Sequence, residues 1–202
     1  MITTKEMFTK FKQFVDHGDF GIENNSYRIE YATLPIGLEM GFYSLSKTDL
    51  IVGGIKRGRI IKKIKNPFCG FKYYFLNNQL AVAKRVIDDM DNSITFLQYH
   101  GDYCFGFTFD VSNTLIPMSC FVYEIDKGII KAFKSSRSCP SSEVNPIVIR
   151  DEKYNYIQGN LISIEERISF YDYTKENERI SSKKTYDYFT GKYWVQSKNI
   201  NG

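Results

Sequence analysis

The chain has 202 residues, of which 43% are AVILMFWYC and 25% are charged, and its formal net charge is +4. That balance excludes collagen-like, low-complexity and wholly disordered chains, and the length suffices to bury a core without disulfide or metal staples. The departure from average is aromatic: 15 Tyr, 16 Phe and 1 Trp, residues that favour strands and dominate cores and interfaces.

The first predicted element is a helix over residues 3–17. Thr3 followed by Glu6 is a capping box. Met7, Phe8, Phe11, Phe14 and Val15 then recur at a period of 3.6, with Lys5, Lys10, Lys12, Gln13 and Asp16 on the other face. Gly18 reads as the C-terminal stop. His17 closes the helix, where a cationic ring suits the negative end of the dipole. A stripe with three Phe must dock on something apolar, each contributing roughly 1.5–3 kcal/mol when buried.

From Tyr27 onward the period changes to two. Tyr103, Phe105, Phe107, Phe109 and Val111 alternate with Cys104, Gly106, Thr108, Asp110 and Ser112, the pattern of a half-buried strand. Phe71, Tyr73 and Phe75 form another stripe. Ile162, Ile164, Ile168 and Phe170 oppose Ser163, Glu165, Arg167, Ser169 and Tyr171. Asn77-Asn78, Gly101-Asp102, Lys127-Gly128, Gly159-Asn160 and Thr190-Gly191 separate successive runs and supply the positive φ of tight hairpins. Residues 81–90 read as a strand ending in an acidic turn. Roughly 12 to 14 runs spaced by about 8–12 residues predict an all-β antiparallel meander, and crossovers long enough for a parallel sheet are missing. No repeat of fixed length favours a propeller. The stretch from Ser135 to Pro146 reads as a loop or boundary. A separate unit over 147–202 is the alternative, but one domain is preferred. The expected fold is mainly β: a meander over 27–197, curled into an irregular barrel or two packed sheets, with one N-terminal helix docked on it.

Motifs for catalysis are sparse. His100, Asp102 and Cys104 are the residue types of a nucleophile site, yet Cys104 points away from its strand neighbours Tyr103 and Phe105. Asp88-Asp89-Met90-Asp91-Asn92 fails the calcium-loop pattern, because the required Gly and Glu are Ile94 and His100. Adjacent Glu165 and Glu166 point to opposite faces of a strand. Gly53, Gly54 and Gly58 lack the spacing of a phosphate loop. Cys69, Cys104, Cys120 and Cys139 are dispersed, so they read as reduced thiols and not as a zinc site. Cys139, in a polar loop, is the expected reactive one. No metal and no cofactor is expected. Neither a secretory leader nor a membrane span is legible, so a cytoplasmic protein without membrane contact is expected.

Charge carries the strongest signal outside the core. Between Ile51 and Ile87 the chain holds nine cations and no Asp or Glu. Lys56, Arg57, Arg59, Lys62, Lys63, Lys65 and Lys72 are the candidate partner-binding residues among them, interleaved with Phe68, Phe71, Tyr73, Tyr74 and Phe75. Such a segment can attract an acidic protein, bind and stack nucleic acid, or protect an edge strand from aggregation. Near the C-terminus Tyr154, Tyr156, Tyr171, Tyr173, Tyr186, Tyr188, Tyr193 and Trp194 cluster in sequence. Tyr171, Tyr173 and Trp194 are expected as exposed interface anchors. The resulting expectation is a non-catalytic module that binds an acidic protein. Its concrete form is an immunity-type inhibitor that occludes the active site of a cognate bacterial toxin. A nucleic-acid binder using the basic segment is the second reading, and a Cys/His enzyme the third.

Overall fold

The computed structural model describes residues 2–18, 27–33, 40–111, 115–139, 145–189 and 192–199, the side chains only as far as Asp187. Helix α1 runs Thr4–His17 behind the capping box, with Thr3 as the N-cap. The Thr3 side chain accepts from the Glu6 amide at 3.2 Å, and the Thr3 amide donates back to the Glu6 carboxylate at 2.7 Å. Met7, Phe8, Phe11 and Phe14 are buried, whereas Val15, expected on the same stripe, is exposed. Gly18 ends the helix without the positive φ usual for a glycine stop (φ −69°). Its amide instead closes on the Phe14 carbonyl at 2.6 Å, where a Cβ would sit 2.3 Å from that oxygen.

The strands are β1 (Arg28–Thr33), β2 (Ile60–Ile61), β3 (Gly70–Leu76), β4 (Gln79–Ile87), β5 (Met90–His100) and β6 (Tyr103–Asp110). They continue as β7 (Ile116–Asp126), β8 (Ile129–Ser136), β9 (Ile147–Ile157), β10 (Asn160–Asp172), β11 (Asn177–Phe189) and β12 (Lys192–Asn199). From β3 to β12 they follow one another as an antiparallel meander, and β1 inserts between β3 and the edge strand β2. Asn77-Asn78 and Asp88-Asp89 both take positive φ, as the two-residue turns require. The turn expected at Gly159-Asn160 sits one residue earlier, at Gln158-Gly159, and Asn160 begins β10. Thr190-Gly191 lies outside the described residues.

The twelve strands form one continuous sheet that is not closed into a barrel. The barrel or second sheet expected from the sequence is replaced by two other coverings, because each face of the sheet is capped by an N-terminal segment. On one face α1 packs its stripe on Val82, Phe96, Phe107, Phe109, Ile149 and Tyr171. On the other, residues 40–55 form a strap of short helical turns, Gly41–Tyr43 and Thr48–Val52. The strap sets Met40, Leu45 and Val52 against Phe121, Tyr123, Phe133, Tyr154 and Ile164.

Covering on both sides explains why β6 is not the half-buried strand its alternation suggests. Phe105, Phe107 and Phe109 are buried beneath α1, and Cys104, Gly106 and Thr108 are buried on the strap side. Gly106 is required there, since a Cβ would lie 1.9 Å from the Phe121 ring. Ser135 and Ser136 complete β8, not a loop. Across residues 137–146, β8 pairs with β9 from Ala132↔Lys153 to Ser136↔Ile149, so the sheet runs on where a boundary was considered. Residues 140–144 lie outside the described set.

Candidate functional site

The basic segment lies at the β1–β2 edge of the sheet. Lys56, Arg59, Lys62, Lys63 and Lys65 are exposed, and Arg57 and Lys72 are half-buried. Thr33 clamps this segment to β1: its amide donates to the Arg59 carbonyl and its hydroxyl accepts from the Arg59 amide, both at 2.9 Å. Among the described residues none of these seven cations forms an ion pair, whereas Lys5, Arg28, Lys84, Lys131, Lys134, Arg150, Arg167 and Lys175 all do. The amine of nearby Lys47 is held below its ordinary pKa by burial and then by the charge of Arg57. The aromatics interleaved with the cations are largely core: Phe68, Phe71, Tyr73 and Phe75 are buried and only Tyr74 is half-buried. Strand alternation separates the two sets, sending Phe71, Tyr73 and Phe75 inward and Lys72 to the opposite face.

The C-terminal tyrosines divide. Tyr171, expected at the surface, is 3% exposed because α1 covers that face, with the Phe8 ring centroid 5.5 Å away. Tyr173 is exposed. Trp194 lies on β12, whose side chains are outside the described residues. Tyr154 and Tyr186 are core residues whose hydroxyls donate to Glu152 and Glu166.

His100 and Cys104 do not meet. The exposed His100 ring packs on Phe105, on the α1 face, while Cys104 is buried in the strap-side cluster. Burial pushes the Cys104 thiol up to about 12, the reverse of what a nucleophile needs. Cys139 is also buried; the exposed cysteine is Cys69, whose sulfur exchanges 3.3 Å contacts with Asp88. The Asp88–Asp91 run is a hairpin turn, in which Asp89 accepts from the Phe68 amide at 2.9 Å and Asp91 pairs with Lys84 at 2.7 Å. Among the described residues no group of three His, Cys, Asp or Glu could hold a metal ion, and no helix is long and apolar enough to cross a membrane.

Sequence reasoning missed a buried charged cluster under the strap. Arg150, Glu152 and Tyr154 alternate along β9 on one face, and register places Glu166 opposite Glu152. The Arg150 guanidinium donates through Nε to Glu166 at 2.8 Å and lies 3.1 Å from Glu152, while Nη1 reaches Asp49 of the strap at 2.8 Å. These carboxylates raise its pKa against the opposing effect of burial. Strap amides are held by the sheet in the same way. Phe42 N donates to the Tyr73 hydroxyl at 2.8 Å, Lys47 N to that of Tyr154 at 3.1 Å and Thr48 N to Glu152 at 3.1 Å. The visible signal was the i, i+2, i+4 spacing of Arg150, Glu152 and Tyr154.

Beside this cluster a pocket of about 440 Å³ opens between the strap and strands β7 to β9. Met40, Phe121 and Phe133 supply apolar lining, and Arg137, Arg150 and Asp49 are its charged groups. Ser44, Ser46, Ser119, Ser135 and Ser136 add hydroxyl-bearing residues to the wall. A pocket of this size accommodates a small molecule or one large side chain. No known protein family, curated protein or solved structure matches the chain.

Proposed function

We propose that the chain is a non-catalytic protein-binding module whose basic edge docks an acidic partner. In its most concrete form it is a cytoplasmic, immunity-type inhibitor that covers the active site of a bacterial toxin. One observation carries this reading: Lys56, Arg57, Arg59, Lys62, Lys63 and Lys65 lie close together at the β1–β2 edge, with Lys72 on β3, and none of them forms an ion pair among the described residues. Uncompensated like charge raises the rate of encounter with an oppositely charged surface and orients it. Tyr173, which follows β10, and Trp194, on the opposite edge strand β12, lie across the sheet from the cations and are the alternative partner-binding surface. Burial of Phe68, Phe71, Tyr73 and Phe75 removes the stacking platform that a single-stranded nucleic acid would use beside those cations, which favours a protein partner.

The test is charge reversal. Lys62→Glu with Lys63→Glu is expected to slow association with the partner far more than it speeds dissociation. Both lysines are exposed, so stability is expected to change by under about 0.5 kcal/mol. Added salt reproduces the slowing in the parent protein, as the Debye length shortens to roughly 8 Å at physiological ionic strength. A pull-down that returns nucleic acid, with affinity falling linearly on a log–log salt plot, overturns the reading in favour of a nucleic-acid binder. Unchanged association and unchanged protection of cells from a toxin leave the lysines as edge protection alone.

A further inference from the structure

The pocket under the strap is lined by two arginines, one carboxylate and five serines beside apolar side chains. Arg150 donates through Nε to Glu166 and through Nη1 to Asp49, with Glu152 ion-paired beside it, and Nη2 has no hydrogen-bond partner among the described residues. A guanidinium carries five N–H donors in a rigid fork, so the donors of Nη2 remain for a ligand, on a side chain that three carboxylates hold still. Arg137, exposed on the same pocket wall, adds a second guanidinium. Asp49 is the lining carboxylate, and it is paired to Arg150 at 2.8 Å. Glu152 and Glu166 are both ion-paired with Arg150; Glu152 accepts from Tyr154, and Glu166 accepts from Tyr186 and from the arginine Nε. Arg137 forms no ion pair among the described residues, and of the three carboxylates around Arg150 only Asp49 lines the pocket. Ser44 and Ser135 line the same wall, and hydroxyls beside guanidinium groups are the donor set that carboxylate and phosphate oxygens need. The remaining wall is apolar: Met40, Phe121, Phe133 and Met118, the last 44% exposed at the rim.

We propose that this pocket binds a small organic oxyanion. The carboxylate or phosphate head lies between Arg137, Arg150 and Ser135, and an apolar body lies against Met40 and Met118. The proposal is independent of the docking of an acidic protein on the basic edge, which lies on other residues.

The chain has five methionines, two of which line the pocket, so their 13C-labelled methyl groups report occupancy directly. Phenyl phosphate and benzoate are expected to shift Met40 and Met118 saturably, and neutral benzamide is not. Arg137→Gln, a surface change that leaves folding intact, is expected to weaken binding by about ten-fold, equivalent to about 1.4 kcal/mol. Ser135→Leu, which fills the pocket, is expected to abolish it. Tighter binding of phenyl phosphate assigns the head as a phosphate ester, and tighter binding of benzoate assigns it as a carboxylate. The proposal is overturned if neither anion saturates the methyl shifts by about 20 mM, if benzamide binds equally well, or if Arg137→Gln binds like the parent.

Discussion

Glu152 is fully buried and accepts from three donors, Ser46 Oγ at 2.8 Å, Thr48 N at 3.1 Å and the Tyr154 hydroxyl, and forms an ion pair with Arg150, whose Nε is 3.1 Å away. A buried carboxylate is tolerated only when its oxygens are this well supplied. Glu152→Gln removes the charge and turns one acceptor into a donor facing other donors. Its expected cost is about 1.5–3 kcal/mol, the range for hydrogen bonds to charged groups. Urea unfolding with an unchanged slope measures it, and an unshifted midpoint would show that the strap is held by packing alone. The cysteines separate as sharply. Cys69 is exposed and Cys104, Cys120 and Cys139 are buried, so a thiol reagent is expected to modify Cys69 first in the native protein. All four are expected to react in denaturant without reductant. Native modification of Cys104 at a comparable rate would contradict a thiol raised to about 12 by burial.

At the scale of elements, α1 is fastened at its first turn as well as along its stripe. The Thr4 hydroxyl donates to Glu178 on β11 at 2.6 Å, and buried Lys134 on β8 lies 3.2 Å from the same hydroxyl. Lys134 pairs with Asp151 at 2.9 Å, and Arg167 reaches both Asp151 and Glu178. Burial pushes the Glu178 carboxyl up. Hydrogen bonds from Ser169 and Thr4, with the charges of Lys134 and Arg167, outweigh this and hold it below the ordinary carboxylate value. A native pKa below the unfolded one means that the unfolded state takes up the proton first. The stabilisation is therefore present above roughly pH 4.3 and is lost as pH falls through the native value. Glu178→Gln is expected to lower stability at pH 7 and to flatten its decline between about pH 5 and 3. Urea midpoints across that range decide it; a decline as steep as the parent's would remove Glu178 from the account.

The whole molecule is a wide single sheet whose central strands are covered on one face by α1 and on the other by the strap. Phe11→Ala and Phe14→Ala are each expected to cost about 3–5 kcal/mol. The pair is expected to be non-additive, since both rings pack on Phe107, at 5.8 and 4.7 Å. Calorimetry of the two single variants and the double variant tests this, and strict additivity would mean that the rings act separately. Local chemistry alone determined the helix, the strands and most of the hairpins. The Thr3–Glu6 box closes within one turn, alternation is read over a few residues, and Asn77-Asn78 needs only its own φ values. The basic segment was legible because charge requires no partner to be counted. What covers each face was decided only by the tertiary structure. Residues 40–55 show no helical or strand period, so their role as a strap was invisible. Tyr171 looked exposed because alternation cannot say that α1 lies over it. The charged cluster and the pocket beside it depend on bonds such as Ser46 to Glu152, 106 residues apart. They also depend on a β9–β10 register that sets Glu152 against Glu166. Periodicity establishes that a side chain faces one of two sides; which side is dry, and which charges meet there, follows from the packing of distant segments.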